Sequence, residues 1–165
     1  MPTPGETSVV EHDVRIAARP ETVFAFFTDP AKMVSWMGEE ATLDPRPGGA
    51  CRLSWPGRAA MLGEFVEVDP PRRIVFTWGW EHALFEVPPQ STSVEVSFTP
   101  DGDGTIVRLA HRRLPSGAVT VHRAGWEHYM ERLSTAAAGG DAGPDPWGDV
   151  EVVMRALLGG QARAD

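Results

Sequence analysis

Between Ser116 and Gly139, Val119, Trp126, Tyr129, Met130, Leu133 and Ala137 recur at steps of three and four residues. Such spacing gathers them on one face of an α-helix. The stripe is wide and aromatic, so the helix needs a large concave partner. Ser116 offers a candidate N-cap, and Gly139-Gly140 a stop. Everything before this helix must then build the curved surface that the stripe fills.

The preceding sequence reads as such a surface. From Ser8 to Ala18, Val10, His12, Val14 and Ile16 alternate with Glu11, Asp13 and Arg15, the pattern of a half-buried strand. Arg19-Pro20-Glu21 opens a helix whose buried side is Val23, Phe24, Phe26 and Phe27. Asp29-Pro30 repeats the start signal for a second short helix running to about Trp36. Strands follow over Glu40–Asp44, Cys51–Trp55, Ala60–Asp69 and Arg73–Trp80, punctuated by Pro and Gly turns. After a loop over Glu81–Gln90, Val94, Val96 and Phe98 share one strand face. Pro100-Asp101-Gly102-Asp103-Gly104 then turns the chain into a strand with Val107, Leu109 and His111 on one face. Strand, two helices, six strands and one long helix make an antiparallel sheet wrapped around a single helix, an α+β architecture.

Composition narrows the function classes. The 165 residues carry a formal charge of -8, which argues against a nucleic-acid binder, whose face would be basic. Six Trp and seven Phe against one Tyr predict a bulky apolar core. Cys51 is the single cysteine, so no intramolecular disulfide can form and a reducing cytoplasm is expected. The polar start is no signal peptide, and no run approaches the roughly 20 apolar residues of a membrane span. Residues 1–7 read as a flexible arm and 8–140 as the domain. Residues 141–165 read as a linker followed by a short helix with Val150, Val153, Met154, Leu157 and Leu158 on one side, a surface that packs back on the domain or meets a partner.

Several phrases, taken in order, carry a resemblance. They are Ala18-Arg19-Pro20-Glu21-Thr22-Val23-Phe24 with Thr28-Asp29-Pro30 and Trp36, then Gly48-Gly49. Gly63-Glu64-Phe65-Val66-Glu67-Val68-Asp69-Pro70-Pro71 leads to Phe76-Thr77-Trp78, and Thr99-Pro100-Asp101-Gly102-Asp103-Gly104-Thr105 and Gly125-Trp126-Glu127 follow. Over residues 8 to 139 the chain resembles the START-like (SRPBCC, helix-grip) superfamily. Within it, the chain is similar to homologues of the activator of heat-shock-protein-90 ATPase. The resemblance implies a seven-stranded antiparallel sheet gripping the C-terminal helix, with a hydrophobic cavity between them. It also implies a small stand-alone bacterial protein.

Face assignment gives that cavity a lining. Trp55, Phe65, Phe76, Trp78, Phe98, Leu109 and His111 point inward from the sheet, Trp126, Tyr129, Met130 and Leu133 meet them from the helix, and Trp36 closes one end. A mostly apolar pocket with a few polar groups suits a small hydrophobic ligand. A buried His111 must be hydrogen-bonded, with Tyr129 or a ligand as partner. His122 and His128 are poorly spaced for one metal, no His-Glu-x-x-His or Cys-x-x-Cys occurs, and no Gly-rich loop opens a helix; neither metal nor cofactor is expected. Cys51 has no base beside it in sequence and reads as a structural thiol. No complete catalytic set emerges. The leading expectation is a non-catalytic ligand-binding or carrier protein. The resemblance also allows a co-chaperone or stress-response protein with a chaperone or a second copy as partner. A third reading is a polyketide cyclase- or aromatase-like enzyme using His111 and Tyr129.

Overall fold

The computed structural model describes residues 7–146. Seven strands run in the order β1-β7-β6-β5-β4-β3-β2, every pair antiparallel. They are β1 (Thr7–Ile16), β2 (Glu40–Leu43), β3 (Ala50–Trp55), β4 (Ala59–Asp69), β5 (Arg73–Trp78), β6 (Thr92–Asp101) and β7 (Gly104–Pro115). Helices α1 (Pro20–Thr28) and α2 (Pro30–Met33) lie between β1 and β2, and α3 (Val119–Ala137) follows β7. The periods predicted an antiparallel sheet wrapped around one long helix, and the resemblance implied its helix-grip form; both are found. The short helix expected after residue 150 lies outside the described residues, as do residues 1–6. Among the described residues no helix is long and apolar enough to cross a membrane.

Local chemistry accounts for the element ends. Pro20 and Pro30 each sit in a first turn, where no amide donor is needed. The Asp29 carboxylate accepts from the Ala31 amide at 2.9 Å and caps α2. That helix is shorter than expected: it ends at Met33, and a turn takes the Trp36 ring into the core, where its indole donates to the Phe26 carbonyl at 3.0 Å. Ser116 makes no cap. Pro115 is extended, residues Ser116–Ala118 form one tight 3₁₀ turn, and α3 starts only after Ala118. Register irregularities between Ser8 and Val10 and between Phe65 and Glu67 bend β1 and β4. At Gly63 a side chain has no room, since a Cβ would collide with the Thr77 carbonyl.

The concave face of the sheet and the stripe of α3 share one core. Trp126, Tyr129, Met130, Leu133 and Ala137 are buried as the spacing predicted, and Val119 is half-buried. His122 is also buried on this stripe. Cys51 is buried in β3, and burial pushes its thiol far above the ordinary range.

Candidate functional site

All twelve expected lining residues are buried, and their rings fall into two groups. Trp36 and Phe98 join Phe24 and Phe27 beside α1, with ring centroids 5.1 to 5.4 Å apart. The larger group centres on Trp78. Its ring lies 5.1 Å from Trp126, 5.3 Å from Trp80 and 5.6 Å from His111. Trp55 adjoins it through Trp80 at 5.8 Å and meets Tyr129 at 6.2 Å. Phe76 bridges Phe65 and Trp78. Leu109, Met130 and Leu133 complete the apolar packing.

His111 is fully buried, and its partners differ from the expected Tyr129. The Trp126 indole donates to His111 Nδ1 at 3.0 Å. An indole N–H can only donate, so Nδ1 must accept and the ring proton must sit on Nε2. Nε2 then donates to the Thr92 hydroxyl at 2.8 Å, and that hydroxyl donates to the Trp78 carbonyl at 2.8 Å. His122 is fixed by the same logic in the opposite tautomer. Trp80 donates to its Nε2 at 3.1 Å, so Nδ1 carries the proton and donates to the Ala118 carbonyl at 2.7 Å. The two imidazoles lie 5.2 Å apart.

Burial lowers the pKa of both rings. His111 is held well below the usual histidine value by desolvation, and the nearby His122 adds to that. For His122 the Ala118 carbonyl partly opposes the same desolvation. Both rings are neutral, with all four nitrogens occupied by protein partners. Tyr129 is turned elsewhere: its hydroxyl donates to Asp145 Oδ2 at 2.7 Å, and the other Asp145 oxygen lies 2.8 Å from His128 Nε2. Burial first, then the Asp145 bond and charge, push the phenol far above its ordinary pKa, against smaller opposing effects of Arg132 and Trp55.

Residues 141–145, expected to be a linker, are tied to α3. Arg132 donates to the carbonyls of Ala142, Gly143 and Pro144, and through Nε to the Trp36 carbonyl at 3.0 Å. One guanidinium thus joins α3, the turn after α2 and the chain beyond α3.

The large ring group meets the outside at Trp55. A groove of about 420 Å³ is lined there by Ser54 to Ala60 at the β3–β4 turn and by Glu81, His82 and Leu84 from the β5–β6 connection. That connection is irregular: His82, Ala83, Phe85 and Glu86 all have left-handed backbone angles, uncommon for residues with side chains. Phe85 nevertheless packs 5.9 Å from both Trp80 and His122.

Sequence reasoning missed Trp80, Thr92 and His122 as site residues. His122 had a readable signal: it stands three residues after Val119 and four before Trp126, on the apolar stripe. Thr92 had none beyond its place at a strand start.

A family model described as "Activator of Hsp90 ATPase homolog 1-like protein" matches residues 17–138. The chain is 26% identical over 131 residues to the protein C1711.08 of Schizosaccharomyces pombe. The match covers 76% of this chain and 36% of that protein, so the chain spans little more than a third of the curated relative's length. An AHSA1-like protein from Rhizobium etli, solved in solution, is 41% identical with a TM-score of 0.67, covering 86% of this chain and 89% of that one. DynU16, a protein in the dynemicin biosynthetic locus, shares the fold at 22% identity and a TM-score of 0.70, over 81% of this chain and 48% of that chain.

Proposed function

The chain belongs to the family of Activator of Hsp90 ATPase homolog 1-like proteins, and on that premise we propose that it is a binding or carrier module for a small hydrophobic molecule. One observation carries this reading. Trp55 belongs both to the buried ring group and to the wall of the groove, so the groove abuts the aromatic interior. An apolar recess with few polar groups is the usual form of a small-ligand site. The ligand region comprises Trp55, Trp78, Trp126 and Tyr129 with His111 behind them.

Binding fits better than turnover. A general base needs a free lone pair and a general acid a proton to lend. His111 and His122 have neither without breaking a buried bond, and Tyr129 already donates to Asp145. A cyclase-like activity built on His111 and Tyr129 would have to dismantle both arrangements. DynU16, by its place in a biosynthetic locus, keeps that second reading open for test.

The test is a thermal-shift screen of hydrophobic metabolites and lipids, followed by tryptophan quenching. A ligand that raises the melting temperature and quenches indole emission supports the reading. Flat responses across flat aromatics, fatty acids and sterols would sink it. A pull-down with a purified heat-shock-protein-90 homologue separates the co-chaperone reading: retention of this chain on the chaperone, with no response in the screen, would favour it instead.

A further inference from the structure

We propose that the groove beside Trp55 is the docking site of this chain's own C-terminal segment, residues 150–158, which seats its apolar side there. The occupant is part of the chain, so the inference stands apart from the small-ligand reading. Where both hold, a small molecule reaching Trp55 has to displace the segment.

The chain leaves α3 in a defined direction. Arg132 holds the carbonyls of Ala142, Gly143 and Pro144 at 2.9 to 3.4 Å. Asp145 then reaches Tyr129 and His128, one turn nearer the start of α3. Residues 141–145 therefore run back along α3, towards the end where Phe85 packs on His122 at 5.9 Å. The Tyr129 ring lies 6.2 Å from the Trp55 ring, and Trp55 lines the groove with Pro56, Ala59, Ala60 and Leu84. The last described residues thus bring the chain to the groove's edge. The stretch from Pro146 to Val150 can span roughly 14 Å when extended, enough to pass from Asp145 across Tyr129 to Trp55.

The sequence beyond Pro146 has the chemistry of an occupant. Val150, Val153, Met154 and Leu157 fall at steps of three and four, and Gly159-Gly160 follows. So short an amphipathic stretch gains helix only by burying its apolar side on something else. The family match ends at residue 138, so the stretch lies outside the shared fold. Other surfaces suit it less. Among the described residues the large exposed hydrophobic side chains are Val9 on β1 and Val66 on β4, on strands that are not neighbours. The depression on the convex face is walled by Glu11, Asp13, Arg73, Glu95, Arg108 and Arg112, which an apolar side would desolvate. Tethered at Asp145, the segment meets the groove at an effective concentration on the order of millimolar. A free partner of equal affinity competes poorly below that level.

Photo-crosslinking in the full chain tests this. The photoreactive residue p-benzoylphenylalanine is introduced at Arg58 and, in a second preparation, at His82, both on the groove's exposed rim. Mass spectrometry after irradiation should find adducts within one chain, joining the probe to residues 147–158, in a yield unchanged on dilution. Adducts between two chains, with a yield that falls on dilution, put a second copy in the groove and overturn the proposal. Adducts to other residues alone, or none from either position, overturn it as well. Val153→Asp combined with Leu157→Asp should cut the adduct yield and speed amide exchange at residues 58–60 and 81–84, each by roughly tenfold or more, because a charge replaces a buried aliphatic group. Yield and exchange unchanged by these substitutions overturn the seating of the apolar side. Both positions lie outside the matched region, so an unaltered melting temperature of the domain serves as the folding check. Small-molecule binding is read in neither arm, so this proposal and the small-ligand reading fail separately.

Discussion

His111 and His122 are each locked in one tautomer by an indole that can only donate. The consequence is a stability that depends on pH. In the unfolded chain each ring binds a proton as the pH drops below about 6.5. In the folded chain both values are lowered, so between the folded and unfolded values the unfolded state holds more protons. Stability therefore rises with pH through that window and is lost as the pH falls below about 6.5, by up to about 1.4 kcal/mol per pH unit for each histidine. Urea unfolding at pH 5 should give a lower midpoint than at pH 7; identical midpoints would contradict neutral burial. The lock itself is tested by Trp126→Phe, which strands His111 Nδ1 without a donor. It should destabilise by about 1–3 kcal/mol beyond the loss of packing, measured by calorimetry against Trp78→Phe, which removes the same ring atoms without breaking a hydrogen bond among the described residues. Residue-scale chemistry was only partly legible in the sequence. Strand alternation placed His111 inward, but its partners are fixed by how two indoles pack, which no local pattern records. His122 was readable in principle, yet a polar residue on an apolar stripe is easily left out of the count.

At the scale of elements, strands and helices were legible because their periods are strong and their ends carry Pro, Gly and Asp. The Glu81–Glu86 connection was not, since its left-handed residues are His, Ala, Phe and Glu rather than Gly or Asn. The attachment of residues 141–145 was hidden too. Its composition reads as linker, and only the folded arrangement brings it to Arg132 and Tyr129. Arg132→Ala should release this segment together with the turn at Trp36, lowering stability by about 1–3 kcal/mol. Limited proteolysis should then cut after Gly139–Gly140 sooner than in the native chain; an unchanged digestion rate would mean the clamp is idle. Gly63→Ala should also destabilise, because β4 must move away from the Thr77 carbonyl to admit a methyl group.

For the molecule as a whole, the concave face carries the chemistry and the convex face carries the charge. Arg73 pairs with Glu67 and Glu95, Arg112 with Glu95, and Arg108 with Asp13, all exposed except the half-buried Glu95. Exposed pairs contribute about 0–1 kcal/mol each and are screened by salt. The melting temperature should accordingly move little between low salt and 0.5 M (roughly 4 Å of screening length) sodium chloride. A ligand in the aromatic interior should instead raise it steadily with concentration, by about 2.7 kcal/mol of stability at a hundredfold excess over Kd.

The lone thiol of Cys51 adds a clock. It is buried in β3, between β2 and β4, and held in its neutral form. A disulfide reagent is attacked only by a thiolate that can reach its sulfur, the reagent's other half leaving as thiolate, so Cys51 reacts only while this side of the sheet is open. The labelling rate thus counts openings of the sheet in the native protein. A ligand that bridges Trp55 in the same strand to the rest of the interior should slow that count, so one unmodified cysteine can report occupancy of a site it does not line.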